Sequence, residues 1–229
     1  MAVIGYWPIR GYAQPIRYLM KYAGQPFEEK LYHQKGPPDF DKSEWRNVKD
    51  KLNLDFPNLP YYLDEKEGVR LSQSKAILLY LARKHKLVAT KEEDIQRQDV
   101  VFFESIDLHN SFFFLTYQPS FLEMREDYVA KDLPLKLKLF EDFLGDRKFF
   151  VGDKVNFADF NVYEAIYVHT VLAPDCLKDF PKLRAFMKRF EELKGVKEYI
   201  KSKEHLKEPI CSRASYFSNG NDEEPEEKK

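Results

Sequence analysis

Asp55-Phe56-Pro57-Asn58-Leu59-Pro60, followed by Leu71-Ser72-Gln73-Ser74, is the stretch on which the reading of this chain turns. Pro57 and Pro60 bracket an amide and an apolar residue. Each proline fixes φ, removes a backbone donor and pushes its predecessor into an extended conformation. Such a segment leaves carbonyls and an amide free to pair with something outside a sheet, which suits a peptide-like ligand. The second half continues the pattern. Val69 to Leu71 reads as a short strand, and Ser72, Gln73 and Ser74 open the run Ala76, Ile77, Leu79, Tyr80, Leu81, which has helical spacing. Unpaired amides at a helix N-terminus, together with serine hydroxyls, make a carboxylate or phosphate site. Plain helix capping accounts for the same serines, so both readings stand.

Outward from this stretch, the first third of the chain alternates strand and helix signals. Val3-Ile4 reads as a strand and Gln14 to Tyr22 as a helix ending near Gly24. Phe27 to Leu31 reads as a second strand, Tyr61 to Leu63 with Val69 to Leu71 as a hairpin, and about Ser74 to His85 as a helix. The order βαβ then ββα predicts an α/β thioredoxin-like N-terminal domain over residues 1–84. A polar connection from His33 to Leu54, carrying Gly36, Pro37, Pro38 and the isolated Trp45, is long enough to suggest a functional loop.

Beyond Lys86 the periodicity is helical throughout, over Asp94 to Tyr117, Phe121 to Phe143, Phe157 to Thr170 and Phe180 to Leu193. This predicts an all-α helical-bundle C-terminal domain over residues 91–218. Val155-Asn156-Phe157-Ala158-Asp159-Phe160 has the form of a capping box with a hydrophobic staple, and reads as folding information. Residues 219–229, acidic and without an apolar side chain, read as a disordered, solvating tail.

Composition limits the function. The 229 residues carry 37 Lys and Arg against 38 Asp and Glu, a formal charge of -1, so there is no general attraction to nucleic acid or to an anionic membrane. No apolar run approaches the ~18 residues of a membrane helix, and the N-terminus does not read as a signal peptide. Cys176 and Cys211 stand far apart in no metal-ligand or dithiol spacing, so neither a metal nor a disulfide framework is expected and a cytoplasmic location fits. With no glycine-rich phosphate loop, the chemistry falls to Tyr6, at the C-terminal end of the first strand, where Gly5 reads as a turn position. A core tyrosine is the competing reading.

Tyr6, Trp7, Ile9, Arg10 and Gly11, then Trp45 and Lys49, Leu54 to Pro60, Gln73, Ser74, Ala76, Ile77 and Tyr80 to His85 together resemble a cytosolic glutathione transferase of the mu class. The resemblance runs from about Val3 to about Phe217. It implies a homodimeric enzyme that conjugates glutathione to small hydrophobic electrophiles in detoxification and uses no further cofactor. By the same resemblance Tyr6 donates to the glutathione sulfur, and Leu59, before a cis Pro60 and beside Asn58, pairs with the cysteinyl unit. Gln73 and Ser74 hold the γ-glutamyl end with Asp107 of a second subunit, and Trp7, Lys42, Trp45 and Lys49 surround the glycyl end. Tyr12, Asn110, Tyr117, Ile210 and Cys211 would build the electrophile pocket, whereas Phe112, Phe113 and Phe114 read as core.

Phe56 would insert between helices of the second subunit; folding back onto its own domain is the alternative. Lys75 departs from the mu pattern, which has Asn there, and is expected to add a positive charge beside the glutamyl site. Leu79 replaces a basic residue near the dimer axis. Two other classes share the fold: a non-catalytic ligand carrier or lens-type structural protein, and a glutathione-dependent isomerase. Retention of Tyr6, Trp7, Trp45, Lys49, Gln73 and Ser74 favours the transferase.

Overall fold

A computed structural model describes residues 1–217. The expected tail and Ser218 lie outside them. A four-stranded sheet has the order β2-β1-β3-β4, built from β1 (Ala2–Tyr6), β2 (Phe27–Leu31), β3 (Tyr61–Asp64) and β4 (Val69–Ser72). β2 runs parallel to β1 with Ala2 opposite Phe27 and Tyr6 opposite Leu31, which requires the crossover helix α1 (Gln14–Tyr22). β3 is antiparallel to β1, and β3 and β4 form the hairpin that leads into α3 (Ser74–Lys84). The chain between β2 and β3 is not structureless: α2 (Ser43–Arg46) and a 3-10 turn at Lys49–Lys51 organise it, and Trp45 packs with Tyr32, Leu54 and Tyr61.

β1 is longer than the two residues read from the sequence, and Tyr6 is its last residue rather than the one after it. Gly5 is accordingly not a turn. It lies inside the strand, where an added Cβ would fall 2.1 Å from the Tyr61 ring, so glycine is required there for close approach.

The helical part comprises α4 (Glu92–Thr116), α5 (Phe121–Asp127), α6 (Leu133–Leu144), α7 (Phe157–Leu172), α8 (Pro181–Glu191) and α9 (Val196–Lys201). The single helix expected from Phe121 to Phe143 is two helices joined by a π-helical turn at Tyr128–Asp132. Pro134 sits in the first turn of α6, where its missing N–H and ring are incompatible with an unbroken helix, a constraint that apolar periodicity does not register. The short α9 has no signal of its own in the sequence. α7 is buried almost all round and packs against α4, α1 and α3, so one apolar core runs from Ile4, Ile16 and Ile77 of the first domain to Phe112, Phe160 and Phe190 of the second.

The capping box forms as expected. Asn156 Oδ1 accepts from Ala158 N at 3.1 Å, and Asp159 Oδ2 accepts from Asn156 N at 2.7 Å. Asp159 Oδ1 also accepts from Phe150 N at 2.9 Å, tying the preceding loop to the helix start. The carboxyl is fully buried, and desolvation raises its pKa to about 7 against the pull of those two amides. Asp159→Ala strands two buried amide donors and is expected to lower stability by about 2–4 kcal/mol, against about 1 kcal/mol for Asn156→Ala. Urea unfolding midpoints at matched m-values check this.

Candidate functional site

β1 carries Tyr6 at its C-terminal end, and the loop after the strand fixes the hydroxyl. The chain leaves the strand through Trp7 and Pro8 and makes a 3-10 turn at Gly11–Ala13, where the Tyr12 N–H donates to Tyr6 Oη at 3.0 Å. Gly11 has φ +42, and a Cβ there would sit 2.4 Å from Tyr6 Oη, so only glycine leaves room for the hydroxyl. Tyr6 is almost buried, and that desolvation raises its pKa well above the ordinary tyrosine value, with the Tyr12 amide and the charge of Arg17 acting the other way. The phenol therefore keeps its proton. Among the described residues no acceptor takes it.

The turn itself is anchored from the helical domain. Arg10, fully buried, donates from Nε to Glu164 Oε1 at 2.9 Å and from Nη2 to Glu164 Oε2 at 2.5 Å, a bidentate ion pair to α7. Its remaining donors reach Tyr18 Oη and the Leu206 carbonyl, and the ring of Tyr167 lies 4.1 Å from its guanidinium carbon. The backbone amides of Arg10 and Gly11 then donate to the carbonyls of Pro209 and Ile210, at 2.9 and 3.1 Å. The C-terminal segment is thereby laid over the turn.

Between these parts opens a cleft of about 490 Å³, lined by Tyr6, Trp7, Ile9, Gly11, Tyr12, Gln34, Lys42, Phe113, Tyr117, Ser212 and Ala214. Its size fits a small organic ligand with some of its lining charged or hydroxylic. It gathers Tyr6, Trp7, Lys42, Tyr12 and Tyr117, five of the residues singled out in the sequence. Asn110 is joined to it, accepting from Tyr12 Oη at 2.9 Å. Tyr117 Oη donates to Ser212 Oγ at 3.0 Å and accepts from Ser212 N, so Ser212 fixes its position.

Other expected residues fall elsewhere. Cys211 is buried, its Sγ 3.7 Å from Thr116 Oγ1, and burial pushes its thiol up to about 11; Ile210 is buried beside it. The irregular C-terminal segment buries these two together and brings Ser212 and Ala214 to the cleft. Of the three phenylalanines read as core, only Phe112 is buried; Phe113 lines the cleft and Phe114 is exposed. Gln34, Ser212 and Ala214 carry no signal in the sequence, because distant loops bring them in. Trp45 lies outside the cleft lining, stacked on Tyr61 at 6.0 Å, and Lys49 opens the following 3-10 turn.

The proline stretch does fold as an exposed, rigid turn, with a cis peptide at Leu59–Pro60. Leu59 packs beside Tyr6 and Ile9. The Leu59 amide, expected to be unspent, donates to Asn58 Oδ1 at 2.8 Å. Gln73 adopts φ +70, ψ 107 at the N-cap of α3, a strained conformation for a residue with a Cβ, and its side chain makes no capping bond. Ser74 is the first residue of α3, while Asp107 and Phe56 are exposed. Lys75 is the second residue of α3. Its ammonium turns to the domain interface and donates to Asn161 Oδ1 of α7 at 2.6 Å.

Two family models match the chain: "Glutathione S-transferase, N-terminal domain" over residues 2–83 and "Glutathione S-transferase, C-terminal domain" over residues 99–203. The chain is 42% identical over 217 residues to glutathione S-transferase Mu 1 of Homo sapiens, covering 95% of this chain and 98% of that one. It is 41% identical over 216 residues to the human Mu 4 protein, covering 94% and 98%. Among solved structures, the glutathione S-transferase Blo t 8 superposes with a TM-score of 0.83 at 34% identity, covering 93% of this chain and 98% of that one. The pi-class glutathione S-transferase of Onchocerca volvulus gives 0.81 at 28% identity, covering 93% and 99%.

The Arg10–Glu164 contact can be tested directly. Glu164→Ala leaves a buried guanidinium without its counter-ion and is expected to cost about 3–5 kcal/mol in urea unfolding, whereas Arg10→Met with Glu164→Leu recovers most of that loss.

Proposed function

The chain belongs to the glutathione S-transferases, in their mu class, and from that premise we propose that Tyr6 donates its hydroxyl hydrogen to the sulfur of bound glutathione and holds it as thiolate. The supporting observation is the Tyr6 hydroxyl at the foot of the cleft, kept protonated by burial and held from behind by the Tyr12 amide. A free thiol of pKa about 8.5 is only a few per cent ionised near neutral pH, and lowering it by about 2 units takes ~2.7 kcal/mol. One hydrogen bond to a charged acceptor contributes about 1.5–3 kcal/mol. A single neutral phenol is enough, without a separate base.

In this reading Leu59, beside Asn58 and cis Pro60, takes the cysteinyl unit on its backbone. The strained Gln73 and Ser74 at the start of α3 take the γ-glutamyl end with the partner subunit's Asp107. Trp7, Lys42, Trp45 and Lys49 lie toward the glycyl end. The acceptor, a small hydrophobic electrophile, occupies the part of the cleft lined by Tyr12, Phe113, Tyr117 and Ser212. Tyr117, held by Ser212, faces charge that develops on it. Glutathione is a co-substrate, and the reaction needs no metal. Among the described residues no helix is long and apolar enough to cross a membrane, and the unpaired Cys176 and Cys211 suit the cytoplasm.

The working form in this reading is a homodimer. Phe56 is 75% exposed at the tip of the rigid turn, and an apolar groove between α4 and α6 is lined by Val100, Val101, Leu139, Phe140 and Phe143. A ring so placed is left uncovered unless a second copy receives it.

Conjugation of glutathione to an aromatic halide tests the reading. Tyr6→Phe is expected to lower the rate near neutral pH by about 30- to 100-fold and to raise the pKa read from its pH profile by about 2 units. Full rate with an unchanged profile refutes the role of Tyr6. Wild-type inactivity with retention on glutathione resin points instead to a ligand carrier. Phe56→Ser is expected to shift the sedimentation coefficient from dimer to monomer at micromolar concentration; an unshifted dimer assigns Phe56 to its own domain.

A further inference from the structure

Lys75 has no counter-ion of its own. Its ammonium donates to the neutral Asn161 Oδ1 at 2.6 Å, and the carboxylate that acts on it, Glu164, is already held by Arg10 in a bidentate pair. Among the described residues no ion pair includes Lys75. Beside it His109 of α4 is fully buried with neither ring nitrogen hydrogen-bonded, and the charge of Lys75 adds to desolvation in holding that imidazole neutral. Lys75 is half-buried, and a charge partly withdrawn from water is ordinarily paired. This one is not paired from within.

What the ammonium does face is the wall of the cleft. Lys75 Nζ lies 5.4 Å from the centroid of the Tyr12 ring, and His109 and Phe113 pack on the same ring at 5.5 and 4.7 Å. Tyr12 and Phe113 line the cleft while Lys75 and His109 do not. The positive charge therefore stands behind a polarizable aromatic partition rather than in the site. At roughly 9 Å and an effective dielectric of about 20, one unit charge changes an affinity on the order of tenfold.

We propose that Lys75 is a specificity-determining positioning residue of the electrophile site, acting through Tyr12 to favour electrophiles that carry an anionic substituent such as a carboxylate. The inference rests on the glutathione-transferase reading of the cleft and deepens it by naming a substrate class. The substituent supplies from outside the negative charge that the domain interface lacks. The groups facing the ammonium are Tyr12 from the turn, His109 from α4, and Asn161 and Glu164 from α7, with Arg10 neutralising Glu164. Desolvation brings the Lys75 pKa down to about 7, with Glu164 opposing it. The preference is therefore nearly full about one unit below pH ~7, half lost near it and largely gone about one unit above, as the ammonium loses its proton.

Two thioethers of glutathione, the para-carboxybenzyl and the para-methylbenzyl, separate this effect from glutathione binding itself. Titration calorimetry at about pH 6 and about pH 8 gives the ratio of their affinities, in which contacts to the shared tripeptide cancel; the carboxylate is ionised at both pH values. In the wild type the ratio is expected to favour the carboxylate several-fold more at the lower pH. Lys75→Met is expected to lower the ratio at pH ~6 by about three- to tenfold and to remove its pH dependence. Lys75→Arg, which stays charged, keeps the preference at both pH values. A ratio that is the same in wild type and Lys75→Met at both pH values overturns the proposal. Failure of the methylbenzyl compound to bind the wild type overturns the glutathione reading, and this inference with it.

Discussion

The guanidinium of Arg10 and the carboxylate of Glu164 meet inside the protein with both side chains out of reach of water, and the turn that holds Tyr6 Oη hangs from that contact. Arg10 belongs to the loop that leaves β1; Glu164 belongs to α7, the most buried helix of the second domain. The pair costs desolvation, and its satisfied donors to Tyr18 and Leu206 are what make that cost tolerable. Its structural effect is to set the height and angle at which the first domain meets the second. The Tyr12 amide, the Gly11 hollow and the overlying C-terminal segment then find Tyr6 Oη in a fixed place. The cleft is thus assembled from two domains by an interaction that lies outside its lining.

How far the sequence discloses this depends on the kind of residue. α1 and β2 match their expected bounds, because Gln14 to Tyr22 and Phe27 to Leu31 are bounded by local breakers. The capping box at Asn156 and Asp159 forms because both partners lie within three residues. Where the deciding contact is distant, the reading falters. Gly5 reads as a turn because the Tyr61 ring that demands its missing Cβ comes from another strand. The break before α6 needs Pro134 and a π turn, which leave the apolar spacing intact.

The same division holds in the site. Tyr6, Trp7, Tyr12, Lys42 and Tyr117, singled out through a family pattern, meet in one cleft. Cys211 is buried with Ile210, since the irregular segment that carries both is laid into the core by the distant contacts of Arg10 and Gly11 with Pro209 and Ile210. Lys75, by its place in the sequence, belongs to the ligand end of α3. Its long stem carries the charge to Asn161 of α7 and to the ring of Tyr12, partners that the sequence does not disclose.

Asn58 gives the proline turn a second property. By accepting the Leu59 amide it closes the loop on itself, so the loop already has the hydrogen bond a peptide would offer. In the proposed reading, entry of a ligand is then an exchange of one acceptor for another, and exchanges of this kind contribute little net free energy. The proposed Leu59 contact would work as a grammar check rather than as glue: a guest with a carbonyl in register would take over the amide, whereas a misaligned guest would gain nothing from it.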